Sequence, residues 1–175
     1  MLPHLGAAYN LAVWLLRHPQ DAEDVVQDAY LKAYKAFDQF EGEYPNAWLL
    51  KIVRNTCLTF LGRKADKGKI VSLDAALDGA EASRILPFLH DKEPLPDATL
   101  SLKQEQALVY GAISQLPVEY REIIILREFE DLTYQQIAKI TEIPIGTVMS
   151  RISRARRKLR ELLRPEIIGG QRNEL

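Results

Sequence analysis

Arginine is concentrated in one stretch of this chain, among residue types that hydrogen-bond to nucleic acid. Arg151, Arg154, Arg156, Arg157, Lys158, Arg160 and Arg164 stand there against Glu161 alone, and Thr147, Ser150 and Ser153 supply hydroxyls beside them. Hydroxyls and guanidinium groups near a helix N-terminus can reach base edges in a major groove. Cations further along the same helix can reach phosphates. Helical spacing places Thr147, Ser150, Arg151, Ser153, Arg154, Arg157 and Lys158 on one face, opposite Val148, Ile152, Ala155 and Leu159. A solvated basic helix, or one that binds a protein, is the blander reading. The order of elements weighs against it. Thr133 with Gln136 forms a capping-box pattern, Ile137, Ala138 and Ile140 follow at helical spacing, and residues 143–147 read as a tight turn. A capped helix, a turn and an arginine helix in that order predict a helix-turn-helix that binds DNA.

A second constellation lies in the first third. Asp21, Glu23, Asp24 and Asp28 share a helical segment with Gln27 and Lys32. Phe40, Tyr44 and Trp48 lie in or beside a loop at 39–46, and Lys51, Arg54, Asn55, Arg63 and Lys64 follow along the next helix. Opening a duplex requires a place for an unstacked base, which aromatic faces and a shaped pocket provide. Asn55 is the best base-reading side chain there. Core packing is the stronger reading for Phe40 and Trp48, and Tyr44 is the aromatic expected to be exposed. For the acidic residues alone, a solvated face with helix-dipole benefit is the stronger reading.

Other chemistries find no support. His4, His18 and His90 lie far apart, no Cys or His cluster has metal-ligand spacing, and neither a phosphate-binding glycine loop nor a nucleophile motif occurs. The expectation is a non-enzyme with no cofactor, no metal and no small-molecule substrate. The single Cys57 cannot form an internal disulfide and fits a helical core position. No apolar run is long enough to span a membrane, and residues 1–17 read as a folded helix and not a signal peptide, so the expected compartment is the cytoplasm. The 175 residues carry a net charge of −1, so long-range attraction to DNA should be small and the acidic face should serve another partner.

The elements that position these residues are all helical. The 47% hydrophobic content suits one domain or two small ones. His18-Pro19 breaks the first helix, and Asp21 can cap the second. In that second helix Ala22, Val25, Val26, Ala29, Ala33 and Phe37 form an inward stripe. The third runs over 46–64 with Trp48, Leu49, Ile52, Val53, Thr56 and Phe60 inward. Glycines, prolines and aspartates interrupt 65–99, which reads as a linker with a short helix near Ala75 or Ser83 and an apolar patch at 85–89. Helices follow over 102–116, from Pro117 in a first turn to about Phe129, and from the turn to about Leu163. The expected division is a domain at 1–64, a linker at 65–99, a helix-turn-helix domain at 100–165 and a frayed tail at 166–175. Few strong contacts between the two domains are forced by the sequence.

The motifs themselves resemble a known family. Leu116-Pro117 with Tyr120-Arg121-Glu122, Leu126-Arg127 and Glu130, Leu132-Thr133-Tyr134, Ile137-Ala138, and Pro144-Ile145-Gly146-Thr147-Val148 with Ser150-Arg151 and Arg154-Ala155-Arg156 resemble the C-terminal domain of an extracytoplasmic-function (ECF) sigma factor of the sigma-70 superfamily. Asp21 through Asp28, Phe40 with Gly42, and Ala47-Trp48-Leu49 with Ile52 and Arg54-Asn55 resemble its other domain. The resemblance implies a factor that brings bacterial core RNA polymerase to promoter DNA. It implies −35 recognition by the arginine-helix face. It implies polymerase binding by Asp21, Glu23, Asp24, Gln27, Asp28 and Lys32. It implies −10 recognition and melting by Tyr44, Trp48, Lys51, Arg54, Asn55 and Arg63. It further implies an inhibitory anti-sigma factor, often membrane-bound in the family. Two features depart from the pattern. Family members usually have a longer stretch before the equivalent of Pro3, and Met149 stands where a basic residue is frequent, which leaves the −35 sequence open. A helix-turn-helix regulator without polymerase binding leaves the first third without a role. A helical adaptor leaves the 147–158 face unexplained.

Overall fold

The computed structural model describes residues 4–40, 42, 44–66 and 100–170, all in helices or the turns between them. The first half contains α1 (Leu5–Leu16), α2 (Pro19–Lys35), a 3-10 turn (Phe37–Gln39) and α3 (Pro45–Asp66). The second contains α4 (Leu100–Ser114), α5 (Val118–Ile124), which runs into a π-helical turn (Ile125–Phe129), then α6 (Tyr134–Thr141) and α7 (Ile145–Gly170). The expected short helix near Ala75 or Ser83, the 85–89 patch and residues 171–175 lie outside the described residues.

Helix α1 is apolar around most of its circumference, so more than one neighbour must cover it. Ala8, Leu11, Ala12, Val13, Trp14, Leu15 and Leu16 are all buried. Arg17 ends the helix in a left-handed conformation, its N–H donating to the Val13 carbonyl at 2.8 Å. Asp21 does not cap α2, as the sequence led one to expect. His18 holds the cap position without a side-chain bond, Pro19 opens the first turn, and Asp21 lies inside it. Its carboxylate instead accepts from Lys64 Nζ at 2.7 Å. Ala22, Val25, Val26, Ala29 and Ala33 are buried as their period requires. Phe37 breaks the pattern. The helix gives way to the 3-10 turn, which rotates that ring outward and leaves it 53% exposed.

Helix α3 buries Leu49, Val53 and Thr56, and also Leu50 and Cys57. Its buried surface is wider than one stripe because it packs on α1, α2 and α6. Pro117 precedes α5 as its N-cap instead of occupying the first turn. Helix α7 continues past the expected end near Leu163 to Gly170.

The two halves are not loosely associated, contrary to the expectation of few strong contacts. One buried cluster runs from Ala8 in α1 to Ile152 in α7. Trp14 packs on Tyr110 and Phe129 with ring centroids 5.9 and 6.4 Å away. Asn10 Nδ2 donates to Glu130 at 2.9 Å. Arg17 and Arg121 both donate to the Ser114 carbonyl, each at 3.0 Å. Two cations on the last carbonyl of α4 complement the negative end of its dipole. The cause of the interface is α1: α2 and α3 leave one of its flanks open, and α5 with the π-helical turn covers it.

Candidate nucleic-acid interface

The helix-turn-helix is built locally, as its sequence dictates. Gln136 N–H donates to Thr133 Oγ1 at 3.2 Å, and Thr133 N–H donates to Gln136 Oε1 at 2.8 Å, completing the capping box. Ile137 and Ile140 fix α6 on the core. Glu142 turns the chain with φ at 59°, and the Pro144 carbonyl accepts from Thr147 and Val148 to start α7. Val148, Ile152 and Ala155 point inward and are buried. Ser150, Ser153, Arg154, Arg157 and Lys158 are exposed on the opposite side, with Thr147 and Arg151 half-buried at its edge. Ser150 Oγ donates to the Thr147 carbonyl at 3.0 Å, which leaves its lone pairs outward. Arg156 is already engaged, donating to Glu128 at 2.6 and 3.1 Å. Lys158 lies over the Tyr120 ring at 5.9 Å. Seven side chains named from the sequence thus share one surface.

The cluster in the first half is brought together only in part. Phe40 packs on Trp48 with centroids 4.8 Å apart. A Cβ on Gly42 would meet the Phe40 ring at 2.8 Å, so a bare backbone there lets that ring lie against the loop. Tyr44 is exposed, and Asn55 is exposed on the same helix as half-buried Trp48, Lys51 and Arg54. Arg63 is elsewhere. It lines a cleft of about 110 Å³ with Asp24, Asp28, Lys32, Thr56 and Phe60, beside the acidic helix. The fifteen-residue separation from Trp48 corresponds to roughly 22 Å along a helix, which accounts for the displacement.

On α2, Glu23, Asp24, Gln27 and Asp28 are exposed, and Lys32 pairs with Asp28 at 2.8 Å. Lys32 also donates to Thr56 Oγ1 at 3.3 Å. Two residues missed by sequence reasoning join this face: Leu31 and Tyr34 are 62% and 77% exposed. The available signal was their position off the buried stripe, at helical spacing from Asp24 and Gln27. Leu31 and Tyr34, three residues apart on α2, place apolar area among the acidic side chains of this face.

Residues 2–67 match the family described as Sigma-70 region 2, and residues 106–159 match Sigma-70, region 4. The chain is 36% identical over 161 residues to the RNA polymerase sigma-H factor of Pseudomonas aeruginosa, covering 89% of this chain and 80% of that protein. It is also 36% identical to the ECF RNA polymerase sigma-E factor of Escherichia coli, over 84% of this chain and 76% of the relative. The chain belongs to the ECF sigma factors. The sigma factor RpoE of Bartonella quintana, solved in complex with the anti-sigma factor NepR, is 32% identical, with a TM-score of 0.70 over 93% of each chain. As an ECF sigma factor the protein acts in promoter recognition and transcription initiation and is not an enzyme. Among the described residues, no group of three His, Cys, Asp or Glu side chains could hold a metal ion, and no helix is long and apolar enough to cross a membrane.

Proposed function

We propose that this sigma factor divides promoter recognition between its halves in the manner its surfaces favour. Residues 1–64 bind core polymerase and the −10 element, residues 100–165 bind the −35 element, and 65–99 link them. The exposed face of α7 carries this reading. Thr147, Ser150, Arg151, Ser153 and Arg154 lie near its N-terminus, where base edges are reached, and Arg157 and Lys158 lie further along for phosphates. Core polymerase docks on α2 through Asp21, Glu23, Asp24, Gln27, Asp28 and Lys32, and exposed Leu31 and Tyr34 add apolar area to that face. Tyr44, Trp48, Lys51, Arg54 and Asn55 receive the −10 element, and Arg63 contacts DNA or polymerase from its place beside the acidic helix. The protein works in the cytoplasm. An anti-sigma factor, as in the Bartonella quintana complex, restrains it.

Transcription from a cognate promoter with purified core polymerase tests the reading. Asn55→Ala and Tyr44→Ala should impair open-complex formation more than closed-complex binding, because their contacts form only with unstacked bases. Permanganate footprinting reads this out. Normal thymine reactivity in both variants would remove these residues from the melting site.

A further inference from the structure

Lys51 and Arg54, one turn apart on α3, both reach carboxylates of the C-terminal half, Arg54 largely covered and Lys51 with its side chain still 39% exposed. Lys51 Nζ lies 2.8 Å from Glu142 Oε1, at the turn of the helix-turn-helix. Arg54 is held by both carboxylate oxygens of Glu122 on α5, and the two side chains are only 15% and 6% exposed. A carboxylate on a guanidinium occupies the fork that a phosphate oxygen would use. Two of the three cations named for −10 binding, Lys51 and Arg54, are therefore occupied by anions of the same molecule. These pairs sit in the continuous interface that also contains Asn10 with Glu130 and Arg17 with the Ser114 carbonyl.

We propose that Glu122 and Glu142 are built-in phosphate mimics that lock the −10 face of α3 against the helix-turn-helix half, so that DNA can engage Lys51 and Arg54 only when the halves separate. The lock rests on the DNA-binding reading of those two residues. The two carboxylates differ in kind. Glu122 is buried, so withdrawing it leaves Arg54 without its counter-charge until a phosphate replaces it. Glu142 is exposed and reports on the same contact without threatening the core. DNA must displace the C-terminal half, and its apparent affinity is reduced by the fraction of chains that stay closed.

The full chain, labelled for energy transfer at Asp38→Cys and Arg164→Cys, tests the lock. Buried Cys57 stays unlabelled. Glu122→Gln/Glu142→Gln should lower transfer and tighten binding of single-stranded non-template DNA spanning the −10 element by about five- to tenfold. The same charge change at exposed positions, Asp131→Asn/Glu161→Gln, should do neither. Glu142→Lys alone should lower transfer, and adding Lys51→Glu should restore it. This swap, between exposed Glu142 and half-buried Lys51, carries the test if the Glu122 variant fails to fold. Transfer unchanged by neutralisation and by Glu142→Lys overturns the lock. Transfer that falls without a gain in DNA affinity overturns the DNA-binding role of Lys51 and Arg54 on which the competition rests.

Discussion

At single residues the clearest consequences come from groups buried with their chemistry intact. Cys57 is fully buried, and burial, helped by the nearby Glu122 carboxylate, pushes its thiol pKa up to about 12. The nucleophile is the thiolate, so Cys57 should resist maleimide at neutral pH and react only as the protein unfolds. Labelling followed by mass across a urea series checks this; complete modification in native buffer before unfolding would contradict the burial. Arg121 is just as enclosed and donates to the Ser114 carbonyl at 3.0 Å. Arg121→Met keeps much of the volume but removes a charged donor. It should cost roughly 2 kcal/mol in urea melts, within the range for hydrogen bonds to charged groups.

Among the elements, α6 and α7 depend on local devices that can be removed one at a time. Thr133→Ala removes the side-chain arm of the capping box, leaving only the backbone N–H of residue 133 to donate to Gln136, and should destabilise the C-terminal half by about 1 kcal/mol. It should weaken −35 binding with little change of preference, because α6 positions α7 without presenting the DNA-binding face. On α7 itself the two classes of contact should separate. Arg151→Ala should cost roughly 1–3 kcal/mol on the preferred sequence and relax specificity locally. Arg157→Ala should weaken binding to all sequences and reduce the salt slope by about one unit. Titrations of holoenzyme on matched and mismatched promoters at several salt concentrations distinguish them. A change of preference in Arg157→Ala with none in Arg151→Ala would reverse the assignment.

For the whole molecule, the junction of the halves decides which surfaces are available. Glu142 has its carboxyl pKa lowered, first by the hydrogen bond from Lys51 and then by the charges of Lys51 and Arg54. A lowered pKa in the closed state means the pair contributes fully above the ordinary carboxylate pKa. That contribution is lost as pH falls through the lowered value. Energy transfer between the halves should therefore decline as pH falls below the ordinary carboxylate pKa, and before helix content does. Glu142→Gln should remove that first phase. An identical acid profile in the variant would place the titrating group elsewhere.

The sequence alone determined the helices, the helix-turn-helix and the composition of its two faces. It also identified Cys57 as a core residue and Tyr44 as the exposed one of the three aromatics around the 39–46 loop. These follow from backbone geometry within one or two turns: a period of 3.6, a cap and a proline act over a few residues and need no knowledge of the rest of the chain. Tertiary structure alone decided that Asp21 pairs with Lys64, that Arg63 joins the acidic helix, and that Arg54 and Lys51 meet Glu122 and Glu142. A helix pattern states which face is buried, but not what covers it. The partner of a charged side chain is fixed by the path of the chain across 43 residues for Lys64 and Asp21, and 68 for Arg54 and Glu122. At such separations the packing of α1 between the halves, and not local propensity, sets which charges meet.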